Sequence, residues 1–157
     1  MRHKVYILTG PIATGKTTGL LQWVGELQKN VQGILTPVVD GKRMLMDIAT
    51  GQLMDMEAAD NDTDVLTVGR FVFKQAAFEK AQAIITHATA RYLVIDEVGP
   101  LELRQQGLYN AVQDALQHGM AANIVLVVRE GLVEKVIDFF DLQDATVITK
   151  NGLGLLP

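Results

Sequence analysis

Eight consecutive residues, Gly10-Pro11-Ile12-Ala13-Thr14-Gly15-Lys16-Thr17, satisfy the spacing G-x-x-x-x-G-K-[ST]. Glycines at such positions let a backbone wrap an anion with its N–H groups pointing inward, and a helix opening directly after the loop adds a favourable dipole. In such a loop Lys16 reaches the β and γ oxygens of a triphosphate, Thr17 offers its hydroxyl to Mg2+, and Thr18 hydrogen-bonds an inner phosphate. The spacing therefore predicts that Gly10, Pro11, Ile12, Ala13, Thr14, Gly15, Lys16, Thr17 and Thr18 hold a nucleoside triphosphate.

A second group stands at positions 96 and 97. The run Tyr92-Leu93-Val94-Ile95 leads into Asp96-Glu97, and a buried strand ending in two carboxylates is costly unless a cation uses them. Asp96 is expected to hold Mg2+ together with Thr17, and Glu97 to orient or deprotonate an attacking water. Arg129 follows another apolar run, Asn123 to Val128, and should emerge at the same sheet edge as the phosphate loop, where its guanidinium can contact the γ-phosphate. Lys150 and Asn151 follow the last expected strand and are candidates for the nucleotide's base. Gly152 stands where a guanine-reading N/T-K-x-D motif needs its carboxylate, so broad base acceptance is expected. Glu102 either orients water or, as the favoured reading, pairs with Arg104 at the surface. Arg70 either faces the nucleotide or pairs with the acidic segment, and Arg2, Arg43 and Arg91 fall away from the site.

These residues need a scaffold of alternating strands and helices. Lys4 to Thr9 reads as a buried strand and Thr17 to Lys29 as a helix with Leu20, Leu21, Val24 and Leu27 on one side. Gln32 to Val39 reads as a strand, Asp40-Gly41 as a hairpin turn, Lys42 to Ile48 as the antiparallel return, and Thr50-Gly51 as a second turn into Gln52 to Glu57. Met44, Met46, Met54 and Met56 are expected on one face of this hairpin. Asp55, Glu57, Asp60, Asp62 and Asp64 read as a solvated loop, because an EF-hand started at Asp60 would have Val65 and Phe71 at its glycine and glutamate positions. Helical spacing from Lys74 to Thr89, strand Tyr92 to Ile95, helix Leu108 to His118, strand Asn123 to Val128, a helix over 132–140 and strand Ala145 to Thr149 complete the pattern. Such βα units predict an α/β fold with a mainly parallel sheet, helices on both faces and ligands at the carboxyl ends of the strands.

Together these motifs resemble the small P-loop nucleoside-triphosphatases of the thermophile type, the cancer-related nucleoside-triphosphatase family. The similarity spans nearly the whole chain. It rests on Gly10 to Thr18, on Gly33-Ile-Leu-Thr36 with the hairpin and Asp47-Ile48, on Val68-Gly69-Arg70-Phe71 before a helix with Phe78, and on Ile95-Asp-Glu-Val-Gly-Pro-Leu-Glu-Leu103. The chain departs from the family pattern at Thr36-Pro37-Val38 and at Thr149-Lys150-Asn151-Gly152. The resemblance implies a three-layer, RecA-like P-loop NTPase fold and slow, Mg2+-dependent hydrolysis of ATP, GTP and other nucleoside triphosphates.

The 157 residues, 48% hydrophobic and 20% charged, read as a single domain over 1–157 with the meander of about residues 32–57 inserted in it. Without cysteine there are no disulfides, thiolate clusters or cysteine zinc sites. A net charge of -4 gives no electrostatic footprint for nucleic acid. No apolar run reaches the length of a membrane span, and only Val5 to Leu8 follows the basic Arg2-His3-Lys4, so a secretory h-region is missing and the protein reads as cytoplasmic. The expected activity is Mg2+-dependent hydrolysis of nucleoside triphosphates with Mg2+ as cofactor. Two rivals are a kinase passing the γ-phosphate to a small molecule, and a nucleotide-gated switch that binds a protein partner through the hairpin of the 40s and 50s.

Overall fold

The computed structural model describes residues 3–10, 16–27 and 30–157. Strand β1 (Lys4–Leu8) precedes helix α1 (Lys16–Leu27), and β2 (Val31–Leu35), β3 (Val38–Val39), β4 (Lys42–Asp47) and β5 (Leu53–Asp55) follow. A ribbon of β6 (Val65–Val68) and β7 (Phe71–Lys74) leads into α2 (Gln75–Thr86). Strand β8 (Tyr92–Asp96), the short α3 (Pro100–Leu103), α4 (Tyr109–His118), β9 (Asn123–Val127), α5 (Val133–Phe140), β10 (Thr146–Ile148) and a 3-10 helix (Lys150–Leu155) complete the order.

The sheet runs β10-β1-β9-β8-β2 with every neighbouring pair parallel, and β4 then joins β2 antiparallel, with β3 and β5 on β4. All five residues of β8 and of β9 are buried, as expected for strands covered on both faces. The period of two divides them. Leu93 and Ile95 pack with Ala77, Phe78 and Ala81 of α2, Val112 of α4 and Val136 of α5. Tyr92 and Val94 pack with Leu20 and Trp23 of α1 and with Leu153 of the closing helix. This is the three-layer arrangement the sequence predicts, and all of its parallel strands end at one edge.

Several details differ from the sequence reading. The expected strand over 32–39 is interrupted at Thr36-Pro37, although the register continues through a Met44 N–H bond to the Pro37 carbonyl. Asp40 (φ 51°) and Gly41 (φ 78°) both adopt positive φ, the signature of the expected tight turn. The four methionines do not share a face. Leu45 stands opposite Met54, so Met46 packs with the α1 side while Met54 and Met56 pack with the α2 side. In α1 Trp23 is the buried anchor and Leu21 is exposed. The ribbon of β6 and β7 was not expected; Val65, Leu66, Val68 and Phe71 give it too short and too exposed a pattern to be read from periodicity alone.

Gly33 holds the junction between β2 and β8. Its φ of +124° suits glycine, and a Cβ there would lie 2.0 Å from the Val94 carbonyl oxygen. Gly33→Ala is therefore expected to destabilise the protein by about 3 kcal/mol or more. Denaturant unfolding measures this, and a loss below about 1 kcal/mol, no larger than an ordinary Gly-to-Ala change, would contradict the close approach.

Candidate functional site

Strand β8 delivers Asp96 to the edge where the parallel strands end, and burial there is nearly complete at 2% exposure. One carboxylate oxygen, Oδ2, accepts both the Thr17 hydroxyl at 3.2 Å and the Thr36 backbone N–H at 3.3 Å. Asp96 thus ties the start of α1 to the break after β2. Loss of solvation and the neighbouring Glu97 charge push its pKa up to about 6, against the two hydrogen bonds and the Arg43 charge, which pull it down. Lys16 donates to the Gly10 carbonyl at 3.1 Å, which holds the first helical residue against the last residue of the β1 side.

Glu97 pairs with Arg129 at 3.5 Å, and the two side chains are 35% and 49% exposed. A pair this exposed contributes little to stability and is easily exchanged for another partner. Arg129 follows β9, so the expectation that it reaches the same edge agrees with the structure. Glu102 does not behave as expected. It is 4% exposed and makes no surface pair with Arg104; its two carboxylate oxygens accept the N–H groups of Gly99 at 2.8 Å and Leu108 at 2.9 Å. Burial raises its pKa to about 7. Gly107 (φ +59°) lies so close that a Cβ would reach Glu102 Oε2.

Of the other expected site residues, Lys150 and Asn151 open the closing helix and share a surface depression with Thr18, Gly19 and Trp23 of α1. Pro11, Ile12, Ala13, Thr14 and Gly15 lie outside the described residues, as do Gln28 and Lys29 at the expected end of α1. Arg70 places its guanidinium 5.1 Å from the Phe71 ring centre. Arg43, expected to fall away from the site, instead lies beside Asp96. Its guanidinium donates to the Thr36 carbonyl at 2.8 Å and lies at 3.4 Å from the Thr36 hydroxyl, while its backbone N–H bonds Glu57. The signal that would have found it is register, because Arg43 sits opposite Val38 just past the interruption at Pro37.

The donor set can be tested against Mg2+. Among the described residues no group of three or more His, Cys, Asp and Glu side chains is assembled for a metal. A hydroxyl and one carboxylate aimed at each other suit a small, hard cation that keeps several waters and takes further oxygens from a substrate's phosphates. Soft or imidazole-loving metals find no such ligands here.

A parallel sheet of this strand order, with a phosphate-loop sequence between β1 and α1 and a buried aspartate ending β8, defines the P-loop NTPase fold. A family model described as NTPase matches residues 5–151, and the chain belongs to that family, the thermophile-type nucleoside-triphosphatases, as an NTPase enzyme. No curated protein matches the chain. Among solved structures it is similar to THEP1 from the hyperthermophile Aquifex aeolicus, with 22% identity, 92% of this chain and 88% of that one covered, and a TM-score of 0.73. It is also similar to a human cancer-related nucleoside triphosphatase, with 22% identity, 98% and 94% covered, and a TM-score of 0.70. Among the described residues no helix is long and apolar enough to cross a membrane.

The raised pKa of Asp96 has a sign that can be measured. A carboxyl whose folded pKa of about 6 exceeds its ordinary 3.8 costs stability as pH rises between those values, and the full cost persists above them. Asn keeps an acceptor oxygen for both Thr17 and Thr36 and removes the buried charge. Asp96→Asn should therefore stabilise the metal-free, nucleotide-free protein by about 2 kcal/mol at pH 8 and leave it nearly unchanged at pH 3.5. Thermal unfolding of both proteins at the two pH values checks this, and an equal shift at both would count against it.

Proposed function

We propose that the protein hydrolyses nucleoside 5′-triphosphates to diphosphate and phosphate, with Mg2+ at Thr17 and Asp96 and with the attacking water positioned by Glu97. The observation that carries this reading is the meeting of the Thr17 hydroxyl and the Asp96 carboxylate at 3.2 Å, with Glu97 next in the chain. The loop Gly10 to Thr18 wraps the phosphates, and Lys16 exchanges the Gly10 carbonyl for the β and γ oxygens. Mg2+ bound beside Thr17 and Asp96 would neutralise charge on the same oxygens.

Glu97 stands at the half-exposed rim, where a carboxylate can accept a proton from water as its oxygen attacks the γ-phosphorus. Arg129 is the expected guanidinium for the γ-phosphate. Its exposed pairing with Glu97 is weak enough to give way, and its departure would leave Glu97 available to water. Lys150 and Asn151 share a surface depression with Thr18, which supports the reading that they contact the nucleoside. Gly152 offers no carboxylate to read guanine, which supports broad base acceptance.

Phosphate release from ATP, GTP, CTP and UTP, with Mg2+ or with EDTA, tests the reading. Release should need the metal and differ little among bases. Glu97→Gln should lower it on the order of 10³-fold while leaving nucleotide binding intact, and Arg129→Ala on the order of 10²-fold. Full turnover by Glu97→Gln would remove Glu97 from the mechanism, and full turnover in EDTA would remove the metal.

A further inference from the structure

Beside Asp96 and Glu97, on the face of the sheet away from α1, lies a cavity of about 160 Å³ that hydrolysis does not require. One end is charged, with Asp96, Glu97, Arg43 and Arg129 in its wall. Thr36 and the buried Glu102 also line it, and the remainder is apolar, with Met56, Leu45 of β4, Phe71 and Phe73 of β7, and Phe78 of α2. Phe71 and Phe73 are stacked within 6° of parallel at 6.0 Å, and Phe78 meets Phe73 edge-on at 6.1 Å. These rings run from the 45% exposed Phe71 to the buried Phe78.

Neither water nor a triphosphate explains such a wall. Water needs polar partners, and phosphates need donors. The nucleoside does not fill it either, because α1 and the closing helix with Lys150 and Asn151 lie on the opposite face. The size is informative, since apolar cavities of about 150 Å³ hold one benzene-sized ring. An aromatic ring in this recess meets three phenyl edges and faces, and a short polar arm on it reaches the carboxylate end.

We propose that the cavity is the subsite of a phosphoryl acceptor, a single-ring aromatic or heteroaromatic primary alcohol whose ring packs against Phe73 and whose hydroxyl lies at Glu97. The inference rests on the preceding reading of Glu97 as the residue that faces the γ-phosphate. The hydroxyl oxygen attacks the γ-phosphorus and forms the new O–P bond. The bond from that phosphorus to the bridging oxygen breaks, and the nucleoside diphosphate leaves with its electron pair. The hydroxyl proton passes to the Glu97 carboxylate and from there to solvent. Water takes the same place when no alcohol is present.

Benzyl alcohol is a suitable probe. In the first arm its binding to the nucleotide-free protein is followed by saturation-transfer NMR. Val68→Trp, which fills the cavity from the ribbon, and Phe71→Ala, which removes the exposed ring of the wall, should each weaken it about tenfold. Absent binding, or binding indifferent to both variants, overturns the proposal.

In the second arm, 31P NMR follows ATP, Mg2+ and benzyl alcohol with the intact protein. Benzyl phosphate should appear beside inorganic phosphate, and the ester-to-phosphate ratio should fall in both variants. Inorganic phosphate without ester overturns the acceptor subsite and leaves the hydrolysis reading standing. Ester without any release to water supports the subsite and overturns the hydrolysis reading. Neither product overturns both.

Discussion

A charged side chain with 2% exposure at the end of a fully buried strand is the constraint around which this molecule is arranged. Taking a carboxylate out of water is expensive, and its environment must supply donors. Two come from distant parts of the chain, the Thr17 hydroxyl at the start of α1 and the Thr36 N–H at the end of β2. The break at Thr36-Pro37 follows from this. Among the described contacts the Thr36 N–H goes to Asp96 and not to a ladder carbonyl, and Pro37 has no N–H to lose. Arg43 then secures the Thr36 carbonyl and places positive charge near Asp96. A single desolvated group thus explains an interrupted strand, a pinned helix start and an otherwise misplaced arginine.

The segment after β8 divides rigid parts from movable ones. Glu102 binds both ends of the loop from Gly99 to Leu108 with its two oxygens, at 2.8 and 2.9 Å. Gly107 leaves room for that carboxylate, because a Cβ there would collide with Oε2. This staple fixes the chain directly after Glu97, so the Glu97 backbone is anchored by β8 on one side and by the loop on the other. The Glu97 side chain is held by far less, a half-exposed ion pair with Arg129. A firmly held backbone under a weakly paired carboxylate suits the proposed exchange of Arg129 for water.

Much of this was legible in the sequence because it depends on local pattern. The run Tyr92 to Ile95 and the run from Asn123 could only be buried strands, and Lys4 to Leu8 followed by a helix from Lys16 was readable from the same local pattern. What was not legible depends on register and on distant partners. Glu102 in a Pro-Leu-Glu-Leu helix looks like a surface acid; its burial is set by the Gly99 and Leu108 N–H groups that fold back on it. Arg43 looks remote until β4 is placed beside β2. Leu45 opposite Met54 likewise separates methionines that alternate in sequence. Phe71 and Phe73 gave no clear strand signal because one faces solvent and the other is buried, both within four residues.

The same extensions that escaped the sequence reading give the site its second wall. β8 and β2 end beside Asp96, and the helical layer alone would leave that corner of the sheet open toward α2. β4 covers it with Leu45, and the ribbon folds back through the Glu57–Phe73 bridge and the Lys74 N–H bond to the Met56 carbonyl. Glu57 is spent twice in this, pairing its backbone with Phe73 and accepting the Arg43 N–H at 2.6 Å. One residue therefore couples the aromatic wall to the arginine beside Asp96. The proposed phosphate chemistry would use the polar half of the corner, and the apolar half is built by elements whose packing converges on a ring-sized space.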